Sequence, residues 1–273
     1  MAPIVTLFAW AVPAFVSGSP VDHTWVTTYD NRQTAYPNDQ AVAQAGLDYW
    51  YCWGGFHPTG GTPPNPAGFL GQQSGDLALA RCYVRSNADS RQVPAARGTI
   101  FQYGVDGVCH QLANQVLWAT AAPGQAALTV SNARGYMISS YIYGTYGLQA
   151  AAWAARIATC GGPAPPPATA TMGGMAMAGP PDDFEARARA VLADQPDTLA
   201  NLLALRVDTR RFAAQAWPGA TPSAETLNAR NQHLLDQAAG VLRPEEFEAI
   251  FGVAPGTKVE LIDPTMGPPD QQR

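Results

Sequence analysis

The chain is poor in charge. Asp, Glu, Lys and Arg make up 14% of its 273 residues, where about a quarter is usual in soluble proteins. Of the 16 basic residues only Lys258 is a lysine, and the net charge is −5. With no basic cluster there is no electrostatic footprint for nucleic acid or an anionic membrane. No apolar run reaches the roughly 18 residues that would suggest a membrane span. A phosphate-cradling glycine motif is absent, and so is a G-x-S-x-G elbow. Cysteine is scarce too: the four are Cys52, Cys82, Cys109 and Cys160. None forms a C-x-x-C pair and no Cys/His grouping has zinc-finger spacing, so the sequence asks for no metal and no cofactor. An even number permits two bridges. The aromatic, strand-like contexts of Cys52 and Cys82 make them the expected pair, leaving Cys109 as a thiol.

What is present is apolar and aromatic. Hydrophobic residues make up 47% of the chain and aromatics 10%, enough for a substantial core. The first twenty residues are uncharged and apolar, yet they lack a basic start and Pro13 interrupts the run. They read as the beginning of a fold more than as a secretory signal, which favours a cytoplasmic protein. Strands are expected at Ile4–Val12, Thr24–Tyr29, Asp48–Trp53, Ala80–Arg85, Thr99–Tyr103 and Tyr136–Tyr143. Helices are expected at Asn38–Gly46, Cys109–Thr120 and Gln149–Thr159. Strands in runs, not alternating regularly with helices, indicate an α+β domain over residues 1–162.

The composition then changes. Residues 163–181 are rich in Pro, Gly, Ala and Met and read as a linker. Met172, Met175 and Met177 offer thioethers to Cu(I), but no His or Cys accompanies them, and a plain tether is the simpler reading. Residues 182–252 have helical periodicity: an acidic start at Asp182, a helix from near Ser223, and a compact one from Arg243 to Gly252. They read as a small all-helical module able to dock a protein partner. The remainder, 253–273, reads as a loose tail apart from a short strand over 258–262.

The segment Gly98–Trp118 carries the chemistry. A short strand and a Gly-flanked turn lead into Cys109, which opens a helix. Backbone N–H groups and the positive end of the helix dipole favour thiolate there, and the same N–H groups could hold an oxyanion. A cysteine nucleophile needs a histidine base, itself oriented by a third group. Four histidines exist: His23, His57, His110 and His233. His110 follows Cys109 directly, and adjacent helical side chains diverge by about 100°. His233 lies beyond the linker. His23, at the start of a strand, is left as the base, and His57, at the end of a Trp/Tyr-rich run, as the orienting group. The Gly/Tyr-rich stretches Ser131–Tyr136 and Tyr141–Gly147 could line a peptide or glycan groove, though hairpin or edge strands are the commoner use of such runs.

This order, a His on an early strand, a second His later and then a Cys opening a helix, resembles the circularly permuted papain-like hydrolases. Those are permuted relatives of the NlpC/P60 peptidases and of the lecithin:retinol acyltransferase group. The resemblance covers about residues 1–160, with Val108 where the acyltransferase branch has Asn before its cysteine. It implies a papain-like fold with an antiparallel sheet and a cysteine-bearing helix. It further implies Cys109 as nucleophile, His23 as base, His57 as orienting group, and a peptide-like or cell-wall amide as substrate. The reaction it implies is hydrolysis through an acyl-enzyme. The rival expectation is a non-catalytic interaction protein in which the Trp/Tyr-rich N-terminal half binds a partner. Cys109 is then a core residue or is bridged to Cys160.

Overall fold

A computed structural model describes residues 3–14, 20–34, 36, 39–51, 68–83, 103–121, 125–148, 155, 158–162, 182–215 and 222–262. His57, Cys52, the linker 163–181 and the end of the tail lie outside the described residues, as do most of the strand expected at Thr99–Tyr103 and of the helix expected at Gln149–Thr159.

Four strands form one antiparallel sheet: β1 (Ile4–Pro13), β2 (Asp22–Thr27), β3 (Tyr49–Tyr51) and β4 (Phe69–Asp76), in the order β3-β2-β1-β4. The apolar N-terminal run is therefore an interior strand, paired with β2 on one side and β4 on the other. Side chains alternate between faces. Leu7, Ala9 and Ala11 of β1, Val26 of β2 and Trp50 of β3 point to the inner face and belong to the main core. Trp10 and Trp25, paired across β1 and β2, form a second cluster on the outer face with Phe8, Val12, Tyr49 and Phe69.

The helices are α1 (Asp39–Gln44), α2 (Leu77–Tyr83), α3 (Cys109–Thr120), α4 (Tyr136–Tyr143), α5 (Asp183–Val191), α6 (Pro196–Ala213), α7 (Ala224–Ala239) and α8 (Pro244–Phe251). Helix α3 covers the inner face of the sheet, and α4 lies between α3 and the four C-terminal helices. The α+β class and the antiparallel sheet are as expected.

Two expected strands are helices. Ala80–Arg85 falls largely in α2, whose start is fixed by Asp76 accepting from the N–H groups of Ala78 (2.8 Å) and Leu79 (3.1 Å). Tyr136–Tyr143 is α4, a helix whose Tyr and Ile residues favour strands on propensity alone. Burial overrides that preference: seven of its eight residues are buried, which erases the amphipathic signal by which a helix is read. Strand β4, with the sequence FLGQQSGD, was missed because Gln, Ser and Gly are weak strand formers.

Residues 182–262 do not stand apart as a module. The Tyr141 ring packs 5.1 Å from Phe184 and 5.4 Å from Phe251, so one core spans both sides of the linker. The caps follow local chemistry: Asp182 accepts from Glu185 N–H at 3.0 Å and Ser223 from Thr226 N–H at 3.1 Å. Residues 258–262 form no strand. They are held instead by side chains of α7, Gln232 accepting from Val259 N–H and Asn228 from Ile262 N–H, with Val259, Leu261 and Ile262 buried.

Candidate functional site

The turn before Cys109 closes with Gly104 N–H donating to Gly107 C=O at 2.8 Å. Gln111 then accepts from the Val108 N–H at 3.1 Å, satisfying one donor at the helix start. As expected, Cys109 is the first residue of α3. It is 4% exposed, and its S–H points to the backbone carbonyl of Asp22, with sulfur and oxygen 3.9 Å apart.

His23 does not face that sulfur. It pairs with Val12 across the β1–β2 ladder and stacks on Trp25 with ring centroids 6.2 Å apart. Trp25 belongs to the outer-face cluster, whereas Cys109 packs with Val26 on the inner face. A strand residue and its second neighbour share a face, so the His23 ring and the Cys109 sulfur lie on opposite sides of β2. The expectation that His23 opposes the helix fails on this alternation: the odd-numbered residues of β2 turn away from α3. His57 lies outside the described residues. The expected Cys52–Cys82 bridge is replaced by Cys82–Cys160, which also removes a Cys109–Cys160 bridge; Cys109 is not in a disulfide.

The imidazole at this helix start is His110, which the divergence of neighbouring helical side chains had set aside. It is fully buried, with Nε2 3.0 Å from the same Asp22 carbonyl oxygen and Nδ1 2.8 Å from Ser139 Oγ on α4. A carbonyl only accepts, so Nε2 carries a proton. Asp22 is a junction. Its carboxylate accepts from Arg134 N–H and Nε, while its own N–H donates to the Arg134 carbonyl. Within the described residues β3 pairs with β2 at Trp25, Val26 and Thr27, and at Asp22 the backbone C=O and N–H are met by His110 and the Arg134 carbonyl.

Eleven of the twelve α3 residues are buried, including a polar stripe of Gln111, Asn114 and Gln115. Their amide N–H groups donate to three consecutive carbonyls after α4: Gln111 to Gly144 (3.0 Å), Asn114 to Thr145 (2.9 Å) and Gln115 to Tyr146. Asn114 also donates to Tyr136 Oη (2.9 Å) and accepts from Val130 N–H (2.8 Å). Tyr136 donates in turn to Asp183 at 2.6 Å, tying α4 to α5. Burial first, and the Asp183 carboxylate second, hold the Tyr136 hydroxyl proton well above the ordinary tyrosine range. The spacing i, i+3, i+4 was visible in the sequence as one helix face. It read there as a polar helix start, when it is a clamp on a buried loop.

Among the described residues no group of three His, Cys, Asp or Glu side chains could hold a metal ion, and no helix is long and apolar enough to cross a membrane. On the outer face, Phe8, Val12, Tyr49 and Phe69 are only partly buried around Trp10 and Trp25. The Arg32 guanidinium lies 3.7 Å from the Phe69 ring centroid and is held by Asp30 at 2.8 Å. Comparison with protein-family models, with curated proteins and with solved structures gives no match for this chain.

Proposed function

We propose that the chain is a non-catalytic, disulfide-bonded binding protein in which Cys109 is a core residue. One observation carries this reading: the Cys109 sulfur is enclosed on the inner face of the sheet while the His23 ring is on the outer face. A thiol that packs with the inner sheet face and whose S–H points to the Asp22 carbonyl behaves as a small, weakly donating hydrophobe. The Cys82–Cys160 bridge fits an oxidising compartment and not the cytoplasm suggested by the N-terminal composition. The surface best suited to a partner is the outer face, where half-buried aromatic rings and the Asp30–Arg32 pair adjoin. Flat rings beside a fixed charge pair suit a peptide-like chain.

A second reading, the permuted papain-like cysteine hydrolase, is favoured by one observation. Cys109 opens a helix packed on the strand that carries His23, and its sulfur touches the carbonyl one residue before that histidine. It requires β2 to present His23 to the other face.

Iodoacetamide labelling of the native protein near neutral pH, with sites mapped by mass spectrometry, separates the two. The binding-protein reading expects Cys109 to stay unlabelled until denaturant is added. Fast labelling of Cys109 in the folded state, suppressed by His23→Ala, would establish the hydrolase reading in its place.

A further inference from the structure

Three arginines gather around the C-terminal end of α4, and they are unequally provided for. Arg206 donates to the carbonyls of Ser140 (2.9 Å) and Tyr141 (3.4 Å) and to the Asp182 carboxylate (2.5 Å), with its guanidinium 4.7 Å from the Phe184 ring. Arg230 donates to Gly104 C=O, Tyr143 Oη and Asn231 Oδ1. Arg210, one turn beyond Arg206 on α6, makes no such contacts. It is half-buried, and its Nε is buried with no hydrogen-bond partner.

Arg210 lies against bare backbone. Gly144 follows α4 with φ +80°, and a Cβ added there would come within 3.0 Å of Arg210 Nη2. A side chain at 144 would therefore be strained and would also crowd the guanidinium. Asp182, whose negative charge favours the Arg210 cation, is hydrogen-bonded to Arg206. Burial and the neighbouring Arg206 charge both act against the Arg210 proton. Arginine does not neutralise in response, so a buried guanidinium Nε–H with no acceptor is costly as it stands.

We propose that Arg210 holds a small oxyanion, a carboxylate or a phosphate-like group, at the C-terminal end of α4. Nε and Nη2 of a guanidinium form a fork that matches two oxygens of such a group. The Ser140 and Tyr141 carbonyls, which would repel an anion there, already receive Arg206. The Arg206 charge, unfavourable to Arg210 alone, favours the bound anion. This site is separate from the outer sheet face and does not depend on the reading of Cys109.

The test is thermal unfolding of the full chain in sodium phosphate, sodium sulfate and sodium acetate, each against sodium chloride at matched ionic strength. At about ten times the dissociation constant, a bound anion raises the midpoint by about 2–4 °C. Phosphate and sulfate acting together against acetate identify which oxyanion the site takes. Arg210→Met should abolish the rise, and Arg210→Lys, which keeps the charge but loses the fork, should weaken binding by at least tenfold and serves if the Met variant does not fold. Arg211→Met, at an exposed neighbour paired with Asp208, should leave the response intact. Equal stabilisation of wild type and Arg210→Lys by all anions, or no response in wild type, would overturn the proposal.

Discussion

Raising the pH should unfold this protein through its buried tyrosines. Tyr136, Tyr141 and Tyr143 on α4 are all fully buried. Burial is the main reason that each holds its proton above the ordinary value near 10. The unfolded chain releases these protons first, so the contribution is fully present below about pH 10 and is lost as the pH rises beyond it. Each such group costs about 1.4 kcal/mol per pH unit once the unfolded tyrosine is ionised. A tyrosine that keeps its proton in the folded state removes about 1.4 kcal/mol by pH 11, and Tyr136, Tyr141 and Tyr143 all act in that direction, against a typical total of about 5–15 kcal/mol. The window is unusually clean because the sequence contains a single lysine, Lys258. Absorbance at 295 nm and far-UV circular dichroism, followed on the same samples, provide the assay. Some of the ten tyrosines should ionise near pH 10 with the helices intact, and the remainder in a step that coincides with loss of helicity. A single tyrosine titration near pH 10 with unchanged dichroism would show that α4 is not buried as described.

Two further outcomes follow from the core around α3. Asn114→Leu leaves Thr145 C=O, Val130 N–H and Tyr136 Oη each short of a partner and should cost about 3–5 kcal/mol in urea unfolding; a loss below about 1 kcal/mol would refute the clamp. Replacing Cys82 and Cys160 by alanine opens a cross-link with a sequence separation of 78 and should cost about 3–5 kcal/mol. Dithiothreitol should bring the wild type down to the level of the double variant, and a wild type indifferent to reductant would mean the bridge does not form.

The parts of the fold legible in the sequence are those where local chemistry and burial agree. Strand β1 alternates between small inner residues and large outer ones, and α3 begins after a glycine turn at the residue expected. Helices α5, α7 and α8 begin where Asp182, Ser223 and Pro244 cap or open them. Legibility fails where burial is complete. Helix α4 has apolar or hydroxyl-bearing residues on every side, because sheet-side and C-terminal helices both pack on it, and no periodicity survives. The break at the linker misled for a related reason: composition changes there, but the core does not, since Tyr141 meets Phe184 across it.

The candidate site was half legible, and the missing half decides its meaning. A cysteine at a helix start can be read from glycines and periodicity, and it is where the sequence placed it. Which side of a strand faces that helix depends on the register of the whole sheet, and a shift of one residue reverses it. In β2 the inner positions go to Asp22, Thr24 and Val26, and the outer ones to His23, Trp25 and Thr27. Trp25 opposite Trp10, with Thr27 accepting from the Trp10 indole at 2.9 Å, fixes that choice. Moving His23 inward would carry the Trp25 indole with it, away from Trp10 and toward α3, where Ala9, Ala11 and Ala113 mark a close helix–sheet contact that cannot take it. The aromatic pair on the outer face is thus the physical reason that His23 does not meet Cys109. It is also why His110, needing only the end of β2, occupies the polar position beside the sulfur.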